Sequence, residues 1–299
     1  MNDLTPFPDL AKANETLQEL FAEVQKWEAD LDGGEELKVG AQAVDSLFQT
    51  KVSFGNPRNE LISLTKERFA ELNIELAPIY AIQLENQYDF YAMSLTVNLQ
   101  PQHGAVFKRL GCRLELGPKG ENAPIIQTIF PTNQWHTVIN WGGGLKLGLN
   151  GNLNWEAGVS TDELAEIEGL GGDIEVNLKN KNEMESFIII PKYHHDIGRL
   201  EIAAGGEGSS ECFWQIQTPD LQKSTSVKLN IVFKVPKGTK TLDLYGVAYA
   251  VPKMQWLVAS LVAVRDSLSN ALKRLLRQKS SDKFARGVAE TWTLDLPQY

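Results

Sequence analysis

The stretch 144–159 alternates apolar and polar residues almost without interruption, and that pattern leaves little freedom in how it folds. Leu145, Leu147, Leu149, Leu153, Trp155, Ala157 and Val159 share one parity. Lys146, Gly148, Asn150, Asn152, Asn154, Glu156 and Gly158 share the other, and Gly151 is the only gap. Successive residues of a strand point to opposite sides, so this is one apolar face about 50 Å long at ~3.3 Å per residue. A common strand is roughly a third of that length. The face must be covered by the chain's own core, by another chain or by lipid.

Two readings follow. In the first, the segment is a long strand or bent ribbon over the core, with Gly148 and Gly151 marking a bulge or bend. In the second, it is one arm of a membrane-inserting β-hairpin, for which ~9–11 alternating residues suffice. The segment 173–179 is the expected return. It offers Ile174, Val176 and Leu178 before the polar run Asn180-Lys181-Asn182-Glu183. A second arm of matching length is missing, which favours the first reading. Between the arms, Ser160 and Glu163 have capping-box spacing. Asp162, Glu163, Glu166, Glu168, Asp173 and Glu175 cluster there without the spacing of a calcium loop, and read as a solvated acidic tip.

Period two extends over most of 80–250. Strands are expected at 88–99, 106–116, 125–130, 137–141, 187–190, 199–203, 212–217, 226–235 and 240–248. Turn chemistry separates many of them, as at Gly117-Pro118-Lys119-Gly120 and Pro236-Lys237-Gly238. The expected fold is mainly β, an antiparallel sandwich. The strand–turn–strand stretch 228–244 resembles those of many Ig-like domains, a likeness of fold alone.

Amphipathic helices are expected near the N- and C-termini. Leu10, Leu17, Val24 and Leu31 recur every seven residues, with Ala13, Leu20 and Trp27 between them, and Gly33-Gly34 ends the run. A further helix over 59–72 would place Leu61, Leu64, Phe69 and Leu72 on one face, with Asn59 as its cap. Near the end, Leu257, Leu261, Val264, Leu268, Ala271 and Leu275 form one helical stripe, followed by basic residues that complement the helix dipole. The tail 288–296 is a last strand, or an arm anchored by Trp292. The chain therefore divides into an N-terminal helix (1–34), a β-sandwich with the long ribbon 144–179 (35–252), and a C-terminal helix and tail (253–299). Linkers are expected at 33–38 and 278–283.

No catalytic constellation emerges. His194, His195 and Asp196 are weak metal candidates, because adjacent strand residues point to opposite faces and no further ligand motif accompanies them. Gly142-Gly143-Gly144 lacks the helix that would cradle a phosphate. Gly205-Gly206-Glu207-Gly208 reads as a hairpin loop. Cys112 and Cys212 read as buried, reduced thiols. No cofactor and no small molecule is expected. A formal charge of −9 argues against nucleic acid and anionic lipid. The opening residues lack the basic and apolar regions of a signal peptide, and no apolar run reaches the ~20 residues of a spanning helix; both point to a cytoplasmic protein.

The leading expectation is a non-catalytic protein acting through a protein partner or self-association. The alternatives are a membrane-perforating effector using the ribbon 144–179, and an enzyme with a loop-borne site near His194 and His195. The partner or membrane face is expected at Leu145, Leu147, Leu149, Leu153, Trp155, Trp256, Leu257, Leu261 and Leu268.

Overall fold

The computed structural model describes residues 7–30, 35–71, 78–132, 145–148, 187–190, 201–217, 221, 226–262 and 265–298. Its frame is two antiparallel five-stranded sheets packed face to face. The first runs β1 (Lys51–Phe54), β3 (Tyr88–Gln100), β10 (Ser226–Pro236), β5 (Ile125–Phe130), with β2 (Leu61–Ser63) also paired to β3. The second runs β12 (Arg286–Asp295), β11 (Thr241–Pro252), β4 (Phe107–Gly117), β9 (Glu211–Gln217), β8 (Glu201–Gly205).

The expected sandwich is there, and period two explains it. From the first sheet, Tyr91, Met93, Leu95 and Val97 of β3 and Leu229, Ile231 and Phe233 of β10 enter the core. From the second come Leu110, Cys112, Leu114 and Leu116 of β4, Leu242 and Leu244 of β11, and Trp214 and Ile216 of β9. Burying each large side chain contributes roughly 1.5–3 kcal/mol against leaving it in water.

Helix α1 (Leu10–Asp30) begins where expected, and Asp9 caps it by accepting the Lys12 N–H at 3.2 Å. That backbone N–H and the Lys12 ammonium hold the Asp9 carboxyl below its ordinary range. The seam residues Ala13, Leu17, Leu20 and Val24 are buried. They pack against α2 (Glu35–Gln49), where Val44 and Leu47 are also buried and Phe48 stacks on Phe21 at 5.0 Å. The expected linker 33–38 thus runs into a helix.

The region 59–72 is not one helix. Leu61–Ser63 pairs with β3, Leu61 opposite Met93 and Ser63 opposite Tyr91, and among the described residues of this region α-helix is confined to Lys66–Glu71 (α3). The edge of β3 supplies main-chain partners that outweigh the helical spacing. The cap is Asn56, whose side chain accepts the Arg58 N–H at the start of a 3-10 turn, Pro57–Glu60. A short helix, α4 (Pro78–Asn86), leads into β3.

The C-terminal stripe is also broken. Helix α5 (Met254–Ser260) ends before Leu261, and α6 (Asn270–Arg277) starts afresh with Ser269 as its cap. The break resets the helical phase, so α6 buries Leu272 and Leu276 and leaves Ala271 exposed. The expected linker 278–283 instead enters a 3-10 turn, Ser281–Phe284, with Phe284 fully buried. The tail is a strand: β12 pairs with β11 from Arg286 to Asp295, and Trp292 meets Phe54 edge to face at 5.2 Å. One apolar cluster joins α1, α2, both sheets, α5 and α6.

The α1 seam therefore stabilises the chain's own fold. Leu17→Ala should cost about 2–5 kcal/mol in urea unfolding, because it empties a fully buried site. The exposed neighbour Gln18→Ala should stay within about 0.5 kcal/mol.

Candidate functional site

The ribbon region lies between β5 and β8, so the chain leaves the first sheet at Phe130 and rejoins the second at Glu201. The two sheets are fastened together at this exit. The β8–β9 hairpin turns through Gly206 and Gly208, both at positive φ (124° and 76°). A Cβ at Gly206 would sit 2.1 Å from the Glu211 carbonyl oxygen, so this turn needs glycine. The turn reaches across to β5: the Gly208 N–H donates to the Ile126 carbonyl at 2.8 Å, and the Ile126 N–H donates to the Ser209 carbonyl at 2.8 Å.

Two side chains complete the clasp. Trp214, fully buried, donates its Nε1–H to the Pro131 carbonyl at 3.0 Å, one residue past the end of β5. Glu207 accepts from the Thr128 hydroxyl at 3.4 Å. Partial burial pushes its carboxyl above the ordinary 4.5, against the opposing pull of the Ile129 N–H and Thr128. Neither residue stood out in the sequence. Trp214 falls within the expected strand 212–217, and Glu207 within the expected hairpin loop 205–208.

Beyond the clasp, β6 (Leu145–Gly148) and β7 (Phe187–Ile190) pair antiparallel and join neither sheet of the sandwich. The register sets Leu145 opposite Ile190 and Leu147 opposite Ile188, apolar against apolar. This changes the pairing expected from the sequence. The start of the ribbon is met by Phe187–Ile190, beyond the polar run 180–183, and not by 173–179. The run Phe187–Ile190 has no alternation of its own, which is why it read as an ordinary buried strand.

The other expected site residues separate into two groups. Leu257, Leu261 and Leu268 are buried in the chain's own core, and Trp256 packs against it half-buried, so they present no free face. Leu149, Leu153 and Trp155 lie outside the described residues, as do His194, His195, Asp196, the acidic tip and Gly142-Gly143-Gly144. Cys112 and Cys212 are free and buried, and desolvation pushes both thiols up, away from thiolate chemistry. Among the described residues no three His, Cys, Asp or Glu side chains gather as a metal site would require.

No protein-family model matches the sequence, and no curated protein is significantly similar to it. Several solved structures align distantly with it. One described as a pore forming protein is 10% identical, covering 68% of this chain and 78% of its own, with a TM-score of 0.33. The NetB toxin of Clostridium perfringens in its membrane inserted form is 8% identical, covering 68% and 85%, with a TM-score of 0.24. The delta-toxin of the same organism is 11% identical, covering 67% and 83%, with a TM-score of 0.25. Likenesses this distant leave the fold to be argued from the chain's own sheets.

The clasp predicts a pH dependence. A carboxyl whose folded pKa is raised binds its proton more tightly in the native state than in the unfolded chain. Glu207 therefore lowers stability as pH rises above about 4.5. Glu207→Gln should raise Tm at pH 7, and the two melting curves should converge as pH falls below that value.

Proposed function

We propose that this chain perforates membranes, inserting the ribbon 144–179 and its continuation to Ile190 as a β-hairpin. The pairing of β6 with β7 carries this reading. It gives the alternating stretch a strand partner and sets the start of that stretch apart from both sandwich sheets. Carried onward, the same register would set Ala157 opposite Leu178 and Val159 opposite Val176 near the tip, and Leu153 and Trp155 opposite Asn182 and Asn180. No helix among the described residues is long and apolar enough to cross a membrane.

The physics of the bilayer then adds self-association. An open sheet edge in hydrocarbon leaves backbone groups unpaired, at several kcal/mol each. Two strands cannot close a barrel, so several copies must each contribute a hairpin. Self-association thus enters through the membrane and not through the terminal helices. Their seams, from which protein binding was expected, are buried inside the fold and lend that reading no support.

The test is release of a self-quenched dye from phosphatidylcholine vesicles. The wild-type chain should release it, with or without proteolytic trimming of the ends. Leu153→Lys should abolish release, since a lysine on the lipid face costs about 2–4 kcal/mol at the bilayer centre. A wild-type chain that leaks no dye, or a lysine variant that leaks as well as wild type, would sink the reading.

A further inference from the structure

Charge is unevenly distributed along this acidic chain. Residues 253–286 carry eight of its 29 Lys and Arg, and two of its 38 acids, Asp266 and Asp282. Charges further apart than about 10 Å are largely screened at 0.1 M salt, so a partner surface meets the local charge and not the total. Both acids have a cation of their own: Asp282 pairs with the buried Arg109 of β4, and Asp266 lies 3.9 Å from Arg265. Glu23 of α1, which reaches this region, accepts the Ser269 N–H at 2.7 Å. Lys253, Arg274, Arg277, Lys279 and Lys283 are exposed, and none of them has an ion-pair partner among the described residues.

The fold gathers these cations. Leu272 and Leu276 turn one side of α6 into the core, which sets Arg274 and Arg277, three residues apart, on its outward side. The helix dipole accounts for those two. It does not account for Lys253 before α5, Lys279 beyond α6 or Lys283 in the short 3-10 turn. Apolar surface accompanies them: Val262, between α5 and α6, is 62% exposed, and Trp256 is half-buried. The register of the second sheet locates the group. Val251 stands opposite Arg109, Arg109 opposite Gln217, and Gln217 opposite Glu201, where the chain returns from the ribbon region. Lys253 and α5 follow Val251, and the 3-10 turn precedes Arg286, which stands opposite Ala250. The basic elements therefore leave the sheet at the end where the ribbon region rejoins it.

We propose that this surface docks the chain on bilayers that contain anionic lipid, with Lys253, Arg274, Arg277, Lys279 and Lys283 meeting the charged headgroups. Each Lys or Arg held close to such a bilayer strengthens binding about fivefold, and the gain multiplies over several. Three observations select lipid among polyanions. The cations are spread over several elements, which suits an extended charged surface. The exposed Val262 near them suits the headgroup boundary, where apolar side chains are received. The patch lies at the end of the sheet from which the proposed hairpin would reach the bilayer. The overall charge of −9, which argued against anionic lipid, is carried elsewhere on the chain. This names a lipid class for the proposed membrane activity and rests on that reading for the ribbon's part alone.

The test is co-sedimentation with vesicles of phosphatidylcholine alone, or of equal parts phosphatidylcholine and phosphatidylserine. The wild-type chain should bind the mixed vesicles about tenfold more strongly or better. Salt at about 1 M, where screening shrinks to ~3 Å, should remove the difference. Arg274→Gln with Arg277→Gln should weaken binding to mixed vesicles roughly twentyfold, at about fivefold per charge, and leave phosphatidylcholine binding unchanged. Lys240, exposed at the opposite end of β11, is the control: Lys240→Gln alters total charge alone and should shift binding less than about twofold. Both arginines are exposed, so the double variant should melt with wild type; if it does not, the two vesicle types and the salt series decide on the wild-type chain. Equal wild-type binding to the two vesicle types, a folded double variant that binds like wild type, or an equal loss per charge in Lys240→Gln would overturn the proposal. So would a DNA duplex bound at a salt where mixed vesicles are not, which assigns the patch to nucleic acid. Sedimentation and dye release are separate readouts. The lipid preference can fail while phosphatidylcholine vesicles leak, and a chain that sediments with mixed vesicles but releases no dye keeps this surface and loses perforation.

Discussion

Everything else in this molecule depends on the packing of β3 and β10 against β4 and β11. These strands are long, and their inner positions are filled almost entirely by aliphatic and aromatic side chains. A register slip of one residue would turn every one of those side chains outward, so one pairing is strongly selected. Once that pairing is set, the remaining elements are placed by what it leaves uncovered. The helices α1, α2, α5 and α6 add their apolar stripes to the same cluster, and β12 extends the second sheet.

The strands were legible in the sequence because period two is a local signal. The segments 125–130 and 187–190 match the observed strands, and most other boundaries shift by one or two residues. What was not legible depends on partners far away in sequence. Leu61–Ser63 has helical spacing but is taken by the edge of β3. The stripe from Leu257 onward fits a single helix, yet the chain breaks it to cap α6 with Ser269 and bury Leu272 and Leu276. The same limit governed the site. The alternation of 144–159 was plain, but its partner was not, because antiparallel register depends on where the chain turns and not on which nearby segment is most apolar.

The clasp at the exit of β5 fixes where the sandwich ends. Bonds from the β8–β9 turn and from Trp214 hold β5 and Pro131 against the second sheet. Rearrangement beyond Pro131 therefore need not be transmitted into the core, since Ile129 and Ile126 remain packed there. A rigid body joined to a rearranging segment needs such a boundary. Without it, the loss of contacts on one side would loosen the strands on the other.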